Sequence, residues 1–136
     1  MLSFNRATDT VAPIQTFSIL PPAFSGGKPW GAQFHLTPDG RFLYASERAS
    51  STLAAYRVDA ASGKLTRTGT YPTEKQPRGF NIDPTGQYLL AVGQLSPTLS
   101  VYRINARTGE LGNIGKYPVG KGANWVEVVG FDGANR

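Results

Sequence analysis

The sequence repeats itself at a spacing of 46 residues, and this repeat restricts the chain to a small group of folds. Residues 35–72 align without a gap on residues 81–118. The identical pairs include Pro38/Pro84, Gly40/Gly86, Leu43/Leu89, Tyr56/Tyr102, Gly63/Gly109 and Tyr71/Tyr117. A repeat of this length holds one supersecondary unit, which buries its apolar faces against neighbouring units.

Each repeat contains four short β-prone runs that are separated by Pro-x-Gly or Ser/Thr-Gly turns. No stretch sustains the apolar period of a helix. The predicted strands, from the innermost outward, are 32–37, 42–46, 52–58 and 65–71 in the first unit and 79–83, 88–93, 98–104 and 111–117 in the second. Four strands in a repeat of about 40–50 residues predict a β-propeller blade, and therefore an all-β fold.

The whole chain, residues 1–136, is predicted to be a single partial propeller. Its parts are the outer strands of one blade (1–21), a full blade (30–72), a second full blade (77–118) and the inner strand of a further blade (124–130). Within the first part, residues 2–4 resemble a third strand and residues 14–21 a fourth. Because these blades are too few to close a ring, we expect either N-terminal blades in a longer protein or self-association that completes the ring.

Composition excludes several classes of protein. With 40% hydrophobic and 17% charged residues, the chain is not typical of disorder, and no apolar run is long enough for a membrane helix. The absence of cysteine excludes a disulfide framework and a thiolate site, and one histidine excludes a multi-histidine metal site. The net charge of +5 is scattered singly, which disfavours nucleic acid but permits an anionic small molecule held by converging arginines.

Three segments together carry a resemblance to a known family: HLTPDGRFLYA (35–45), QPRGFNID (76–83) and VGKGANWV (119–126). They resemble the C-terminal portion of the seven-bladed β-propeller lactonase family. The resemblance implies hydrolysis of 6-phosphoglucono-1,5-lactone to 6-phosphogluconate in the cytoplasm, as a step of the pentose phosphate pathway. It also implies a small phosphorylated sugar lactone as partner and no metal or organic cofactor. The family includes propellers that act on other lactones, so the substrate stays open.

Opening a lactone requires an activated water, donors for the oxyanion and a holder for the phosphate. Arg78 is the first candidate for binding, because it stands between Pro77 and Gly79 where the chain enters an inner strand. Its alternative role is to bridge adjacent blades. Arg48, Gln94 and Asn124 are further candidates for substrate binding at the same mouth of the channel.

Glu47 and His35 are the candidates for catalytic groups. Glu47 and Arg48 break the repeat, which has Gly93 and Gln94 at the matching positions, so Glu47 could act as base or orient Arg48. The alternative is an exposed ion pair of little energetic value. His35 has a suitable proton affinity for a base, but it lies within a predicted strand and could equally be a structural, hydrogen-bonded histidine.

An opposing hypothesis is a non-catalytic propeller module that self-associates or serves as an interaction scaffold. On the first hypothesis the isolated chain is expected to be inactive, because residues from other blades are missing.

Overall fold

The computed structural model describes residues 1–131, and every regular element in that range is a β-strand. The strands are β1 (Leu2–Asn5), β2 (Thr10–Pro13), β3 (Gly31–Leu36), β4 (Phe42–Glu47), β5 (Thr52–Val58), β6 (Leu65–Pro72), β7 (Pro77–Ile82), β8 (Tyr88–Gly93), β9 (Thr98–Ile104) and β10 (Leu111–Pro118). No helix in residues 1–131 could cross a membrane. Residues 132–136, part of the predicted domain, lie outside the described residues.

Two four-stranded sheets contain most of the strands. Strands β3 to β6 form the first blade and β7 to β10 the second, each an antiparallel meander in which sequence neighbours pair. A third sheet is the hairpin of β1 and β2. The prediction of an all-β propeller fragment with two full blades is therefore confirmed.

The main core lies between the two blades. Tyr44 and Leu53 of the first blade pack with Phe80, Leu89 and Tyr102 of the second, and all five are almost completely buried. Burying a large apolar side chain contributes roughly 1.5–3 kcal/mol, so this interface stabilises both sheets together.

The opposite face of the first blade is only partly covered. Tyr56 is buried there against the ring of Phe17, with 4.8 Å between ring centroids. Phe34 and Leu36 on the same blade remain 71% and 52% exposed. In a propeller each blade face packs on a neighbour, so these side chains mark a face that another blade would cover.

The N-terminal hairpin differs from the prediction in its register. Residues 14–21, predicted as a fourth strand, form no strand, and β2 pairs with β1 in their place. The reason lies in the turn: the Asn5 side chain accepts the amide hydrogen of Ala7, as Asn105 does for Arg107 in the outer turn of the second blade. Asp9 has a φ of +51°, and Gly109, at the equivalent position of the second blade's outer turn, has a φ of +75°. Residues 2–13 are therefore equivalent to the third and fourth strands with their own tight turn.

The inner strand predicted at residues 124–130 is also wrong, because residues 124–131 form no strand in the structure. This segment runs beside β7 without a backbone ladder. Asn81 Nδ2 instead donates to the carbonyl of Val126 (3.5 Å) and to Glu127 Oε1 (2.9 Å). Inner strands of neighbouring blades pack side by side and are not paired with each other, so the segment lies where an inner strand belongs and lacks its ladder partner.

Candidate active site

A cleft of about 510 Å³ lies where the inner strands of the two blades begin. Its described lining consists of Gly31, Ala32, Gln33, Arg48, Arg78, Asn124 and Trp125. Three of the six predicted site residues are in this list, and they come from three separate segments of the chain. The repeat explains their convergence, because equivalent strand ends of successive blades meet around one axis.

A β-bulge places Arg78 in the cleft. Pro77 pairs with Gly93 and Gly79 with Val92, so Arg78 is an extra residue without a partner on β8. Bulges interrupt the alternation of side chains and are frequent next to active sites. The first blade has a similar register shift between Gly31 and Phe34. The bulged residue is therefore available to point along the channel.

The chain approaches Arg78 through a strained residue. Gln76 has φ of +53°, a left-handed conformation that is unusual for a non-glycine residue. Its amide donates to Ser51 Oγ (3.2 Å), and its carbonyl accepts from the amide of Gln94 (3.0 Å). Such a conformation costs on the order of 1–3 kcal/mol and persists where the surroundings determine it.

Arg48 is held in the wall of the cleft by two neutral groups. Its guanidinium lies 3.5 Å from the ring centroid of Trp30, and Nη2 donates to Gln94 Oε1 at 2.6 Å. The residue is only 9% exposed, and its Nε has no hydrogen-bond partner. Because Nε is shut off from solvent, an anion in the cleft would meet the outer guanidinium nitrogens of Arg48.

The electrostatics of the cleft favour a negative ligand. Burial lowers the pKa of Arg48, and the positive charge of Arg78 lowers it further. Arg48 nevertheless stays protonated at neutral pH, because the pKa of an arginine lies so far above it. Among the described lining residues there is no carboxylate to neutralise them.

Glu47 lies outside the cleft lining and is completely buried. Oε1 accepts from the amide of Trp30, and Oε2 accepts from the amide and hydroxyl of Ser50, all at 2.6 Å. Burial alone would raise the pKa of Glu47, but these donors outweigh it and the pKa is lowered. Glu47 thus anchors the segment that carries Trp30, the stacking partner of Arg48.

His35 lies between the blades, also outside the cleft lining. Its ring meets Phe80 edge-on with 5.1 Å between centroids. Gln33 Nε2 donates to His35 Nε2 (2.6 Å), while Gln33 Oε1 accepts from the amide of Phe80 (3.0 Å). Gln33 therefore connects the imidazole to the backbone of the next blade.

The other two candidates differ in position. Asn124 lines the cleft, and its backbone approaches Gly79 so closely that a Cβ there would lie 2.6 Å from the Asn124 carbonyl oxygen. Gln94 stands behind Arg48 and contacts it directly. Within residues 1–131 no group of three acidic or histidine side chains could hold a metal ion.

Sequence reasoning missed Glu74, a second buried carboxylate. It accepts hydrogen bonds from Ser100 Oγ (2.5 Å) and Thr98 Oγ1 (2.7 Å), and Lys116 Nζ lies 3.4 Å away. A Cβ on Gly93 would lie 2.8 Å from the Glu74 Cβ, so this glycine makes room for it. The repeat contained a clue to this residue. Gly93 occupies the position that Glu47 has in the first unit, so the second unit has no side chain there.

Comparisons with known proteins agree with this architecture. A family model described as lactonase, seven-bladed β-propeller, matches residues 1–128. The 6-phosphogluconolactonase of Serratia proteamaculans is 47% identical over 68 residues, which are 50% of this chain and 20% of that protein. The 6-phosphogluconolactonase of Pectobacterium atrosepticum is 44% identical over 77 residues, 57% of this chain and 23% of that protein. The matched part of the chain thus spans under a quarter of the length of each of these relatives.

Solved structures give the same result. A protein from Lactobacillus plantarum superimposes with a TM-score of 0.84 at 26% identity, covering 91% of this chain and 36% of that one. The periplasmic gluconolactonase of Pseudomonas aeruginosa superimposes with a TM-score of 0.78 at 29% identity, covering 86% of this chain and 33% of that one.

Proposed function

This chain belongs to the seven-bladed β-propeller lactonase family, and from that premise we propose that it supplies the anion-binding wall of a lactonase active site. The proposed reaction is the hydrolysis of 6-phosphoglucono-1,5-lactone to 6-phosphogluconate. The observation that carries it is the convergence of Arg48 and Arg78 on one cleft whose described lining has no carboxylate.

The phosphate of such a substrate needs fixed cationic donors. Arg48 and Arg78 both line the cleft, and Arg78 presents its guanidinium from a bulged strand. Guanidinium groups bind phosphate oxygens through paired, charge-assisted hydrogen bonds. We assign the phosphate to these two arginines and a sugar oxygen to the side-chain amide of Asn124.

Hydrolysis adds a water oxygen to the lactone carbonyl, breaks the ring C–O bond and returns a proton to the ring oxygen. The base for this water is not assigned to Glu47, whose oxygens are occupied by Trp30 and Ser50. His35 is likewise engaged between the blades. We place water activation on blades that this chain does not contain, and we expect the isolated chain to be inactive.

The same proposal includes a location. A phosphorylated lactone does not cross a lipid bilayer unaided, because burying its charge is too costly. We therefore propose the cytoplasm and the oxidative pentose phosphate pathway. Cell fractionation with a tagged chain would test the compartment, and recovery in the periplasm would contradict it.

A chimera tests the function directly. In it, this chain replaces the corresponding part of the Serratia proteamaculans 6-phosphogluconolactonase. We expect the chimera to hydrolyse the phosphorylated lactone faster than the spontaneous reaction. Arg78→Ala should lower kcat/KM at least about tenfold, because a charge-assisted phosphate contact is lost.

Arg57→Ala is the matched control. Arg57 is an exposed arginine on a third strand that donates to the carbonyl of Arg107, away from the cleft. Its replacement should change kcat/KM by less than about twofold. Equal losses in the two variants would remove Arg78 from the site.

The second candidate function is a non-catalytic module that self-associates. The observation in its favour is the apolar side chains of Phe34 and Leu36 on the open face of the first blade. A chimera that folds but hydrolyses no lactone would favour this alternative.

A further inference from the structure

The neutral partner of Arg48 is unusual for a buried arginine. Buried charges in proteins are normally paired with an opposite charge. Arg48 is 9% exposed, yet its hydrogen-bond acceptor is the side-chain amide of Gln94. No salt bridge within residues 1–131 involves Arg48. The guanidinium is therefore fixed in place and keeps its full charge.

The repeat explains how this contact arises. Gln94 stands 46 residues after Arg48, so the two occupy equivalent positions of adjacent blades. The backbone amide of Gln94 donates to the carbonyl of Gln76 (3.0 Å). This hydrogen bond fixes the position of Gln94 beside the start of β7. This backbone hydrogen bond thus links the approach to Arg78 with the acceptor for Arg48.

Trp30 restrains the other side of the guanidinium. Its ring is stacked at 3.5 Å, and the amide of Arg48 donates to the Trp30 carbonyl (2.9 Å). The amide of Trp30 is in turn held by Glu47 (2.6 Å). Stacking on an aromatic face restrains a cation without neutralising it.

We propose that Gln94 and Trp30 are positioning residues that hold Arg48 as an uncompensated cation, and that this makes Arg48 the determinant of a preference for phosphorylated over neutral sugar rings. This inference rests on the proposed function, because it assumes that the cleft receives the sugar. The choice of an amide at position 94 is essential, since a carboxylate would position Arg48 equally well and cancel its charge.

The test measures binding of two stable rings, glucose 6-phosphate and glucose, to the purified chain at fixed ionic strength. The sequence has two tryptophans: Trp125 lines the cleft and Trp30 stacks on Arg48, which lines it, so intrinsic fluorescence reports binding there. The unmodified chain should bind glucose 6-phosphate at least about tenfold more tightly than glucose.

Gln94→Glu should lower the affinity for glucose 6-phosphate about tenfold or more, while glucose binding and the melting temperature stay the same or rise. Gln94→Met, which removes the acceptor without adding charge, should lower that affinity by a smaller factor, about threefold. Gln87→Glu is the matched control. Gln87 is exposed in the turn between β7 and β8, and its replacement adds the same charge with less than about a twofold effect.

Trp30 is tested by rescue. Trp30→Ala should reduce the preference for the phosphorylated ring, and Trp30→Phe should restore most of it, with Trp125 as the remaining fluorophore. Unchanged binding in Trp30→Ala would overturn the role of Trp30.

The outcomes separate the two claims. If the unmodified chain does not distinguish the two rings, both the anion site and this inference are overturned. If it does distinguish them and Arg78→Ala weakens glucose 6-phosphate binding, but Gln94→Glu behaves like the unmodified chain, the anion site stands and the role of Gln94 is overturned.

Discussion

Individual buried carboxylates hold the loops around the cleft. Glu47 ties the segment carrying Trp30 to Ser50, and Glu74 ties the loop before β7 to Thr98 and Ser100. Burial opposes ionisation of both groups, but hydroxyl and amide donors, and Lys116 in the case of Glu74, lower the pKa of each below its ordinary value. These residues therefore contribute stability only while they are ionised.

The sign of the pH dependence follows from the lowered pKa values. A carboxylate whose pKa is depressed in the folded state contributes stability above its unfolded pKa, and this contribution is lost as the pH falls through the folded pKa. We expect the melting temperature to fall as the pH drops below about 4.5, the ordinary value for both groups. Glu47→Gln and Glu74→Gln should each flatten that fall in thermal melts, and an unchanged pH profile in both variants would contradict this account.

Replacing the Glu47 carboxylate has a cost at neutral pH as well. In Glu47→Gln one oxygen becomes an amide that cannot accept, so a buried donor of Trp30 or Ser50 is left without a partner. The expected loss of unfolding free energy is about 1–3 kcal/mol in urea denaturation. Glu127→Gln, on an exposed residue with a single contact to Asn81, is the control and should cost less than about 0.5 kcal/mol.

At the scale of elements, the cleft depends on how closely the segment after β10 approaches the inner strand β7. Gly79 permits this approach, since a Cβ there would lie 2.6 Å from the Asn124 carbonyl oxygen and 3.0 Å from the Trp125 Cα. Because both neighbours are backbone atoms, they cannot move aside as a flexible side chain would. The glycine therefore determines where the wall formed by residues 124 and 125 stands.

Gly79→Ala should displace that wall and cost about 1–3 kcal/mol of stability, as overpacking usually does. We expect a lower melting temperature and a shifted emission from Trp125. Gly112→Ala is the control, because a Cβ there meets no atom within 4 Å and its backbone needs no left-handed conformation. Comparable losses in the two variants would show that the close contact at Gly79 is unimportant.

The repeat predicted the elements well where two full copies could be compared, and poorly at the partial units. Sequence similarity to the full units predicted a fourth strand at residues 14–21, whereas the turn at Asn5 places this strand at Thr10–Pro13. At the cleft, strand-end positions were enough to predict that Arg78, Arg48 and Asn124 line one mouth. The partners of Glu47 and Gln94 were not predictable, because they depend on which side chains pack across two blades.

At the scale of the whole molecule, the two blades are joined by a buried hydroxyl as well as by apolar packing. The Tyr44 hydroxyl donates to the carbonyl of Gly109 (2.7 Å), which connects the second strand of one blade to the outer turn of the next. Burial, with smaller effects of Tyr71 and Asp39, raises the pKa of Tyr44, so this donor keeps its proton at every pH of interest. The angle between the blades is therefore fixed at the rim as well as at the centre.

Tyr44→Phe removes this donor and leaves the Gly109 carbonyl unpaired. The expected loss is about 1–3 kcal/mol of unfolding free energy, measured by denaturant titration. Tyr117→Phe, on a side chain that is 56% exposed, is the matched control and should stay within about 0.5 kcal/mol. A neutral Tyr44→Phe would mean that apolar packing alone sets the contact between blades.

The open face of the first blade governs the behaviour of the chain in solution. Phe34 is 71% exposed and lies beside an apolar hollow of about 430 Å³ that Leu43 also lines. If this face drives self-association, the mass in solution rises with concentration, and Phe34→Glu should reduce it to that of one chain. Lys121→Glu, on an exposed residue that does not line this hollow, should leave the mass unchanged.

The relation between Glu47 and Glu74 bears on how duplicated blades can be exchanged between relatives. Compared position by position, the second copy has Gly93 where the first has Glu47, and the buried acid beside it is Glu74, which precedes that copy. In space the two positions adjoin, since a Cβ on Gly93 would lie 2.8 Å from the Glu74 Cβ and closer still to the Lys75 carbonyl oxygen. A transplanted β8 with glutamate at position 93 would place two carboxylates close together in a buried region, where they repel each other. Recombination of blades therefore has to move the strand and the loop before β7 as a single inheritable unit.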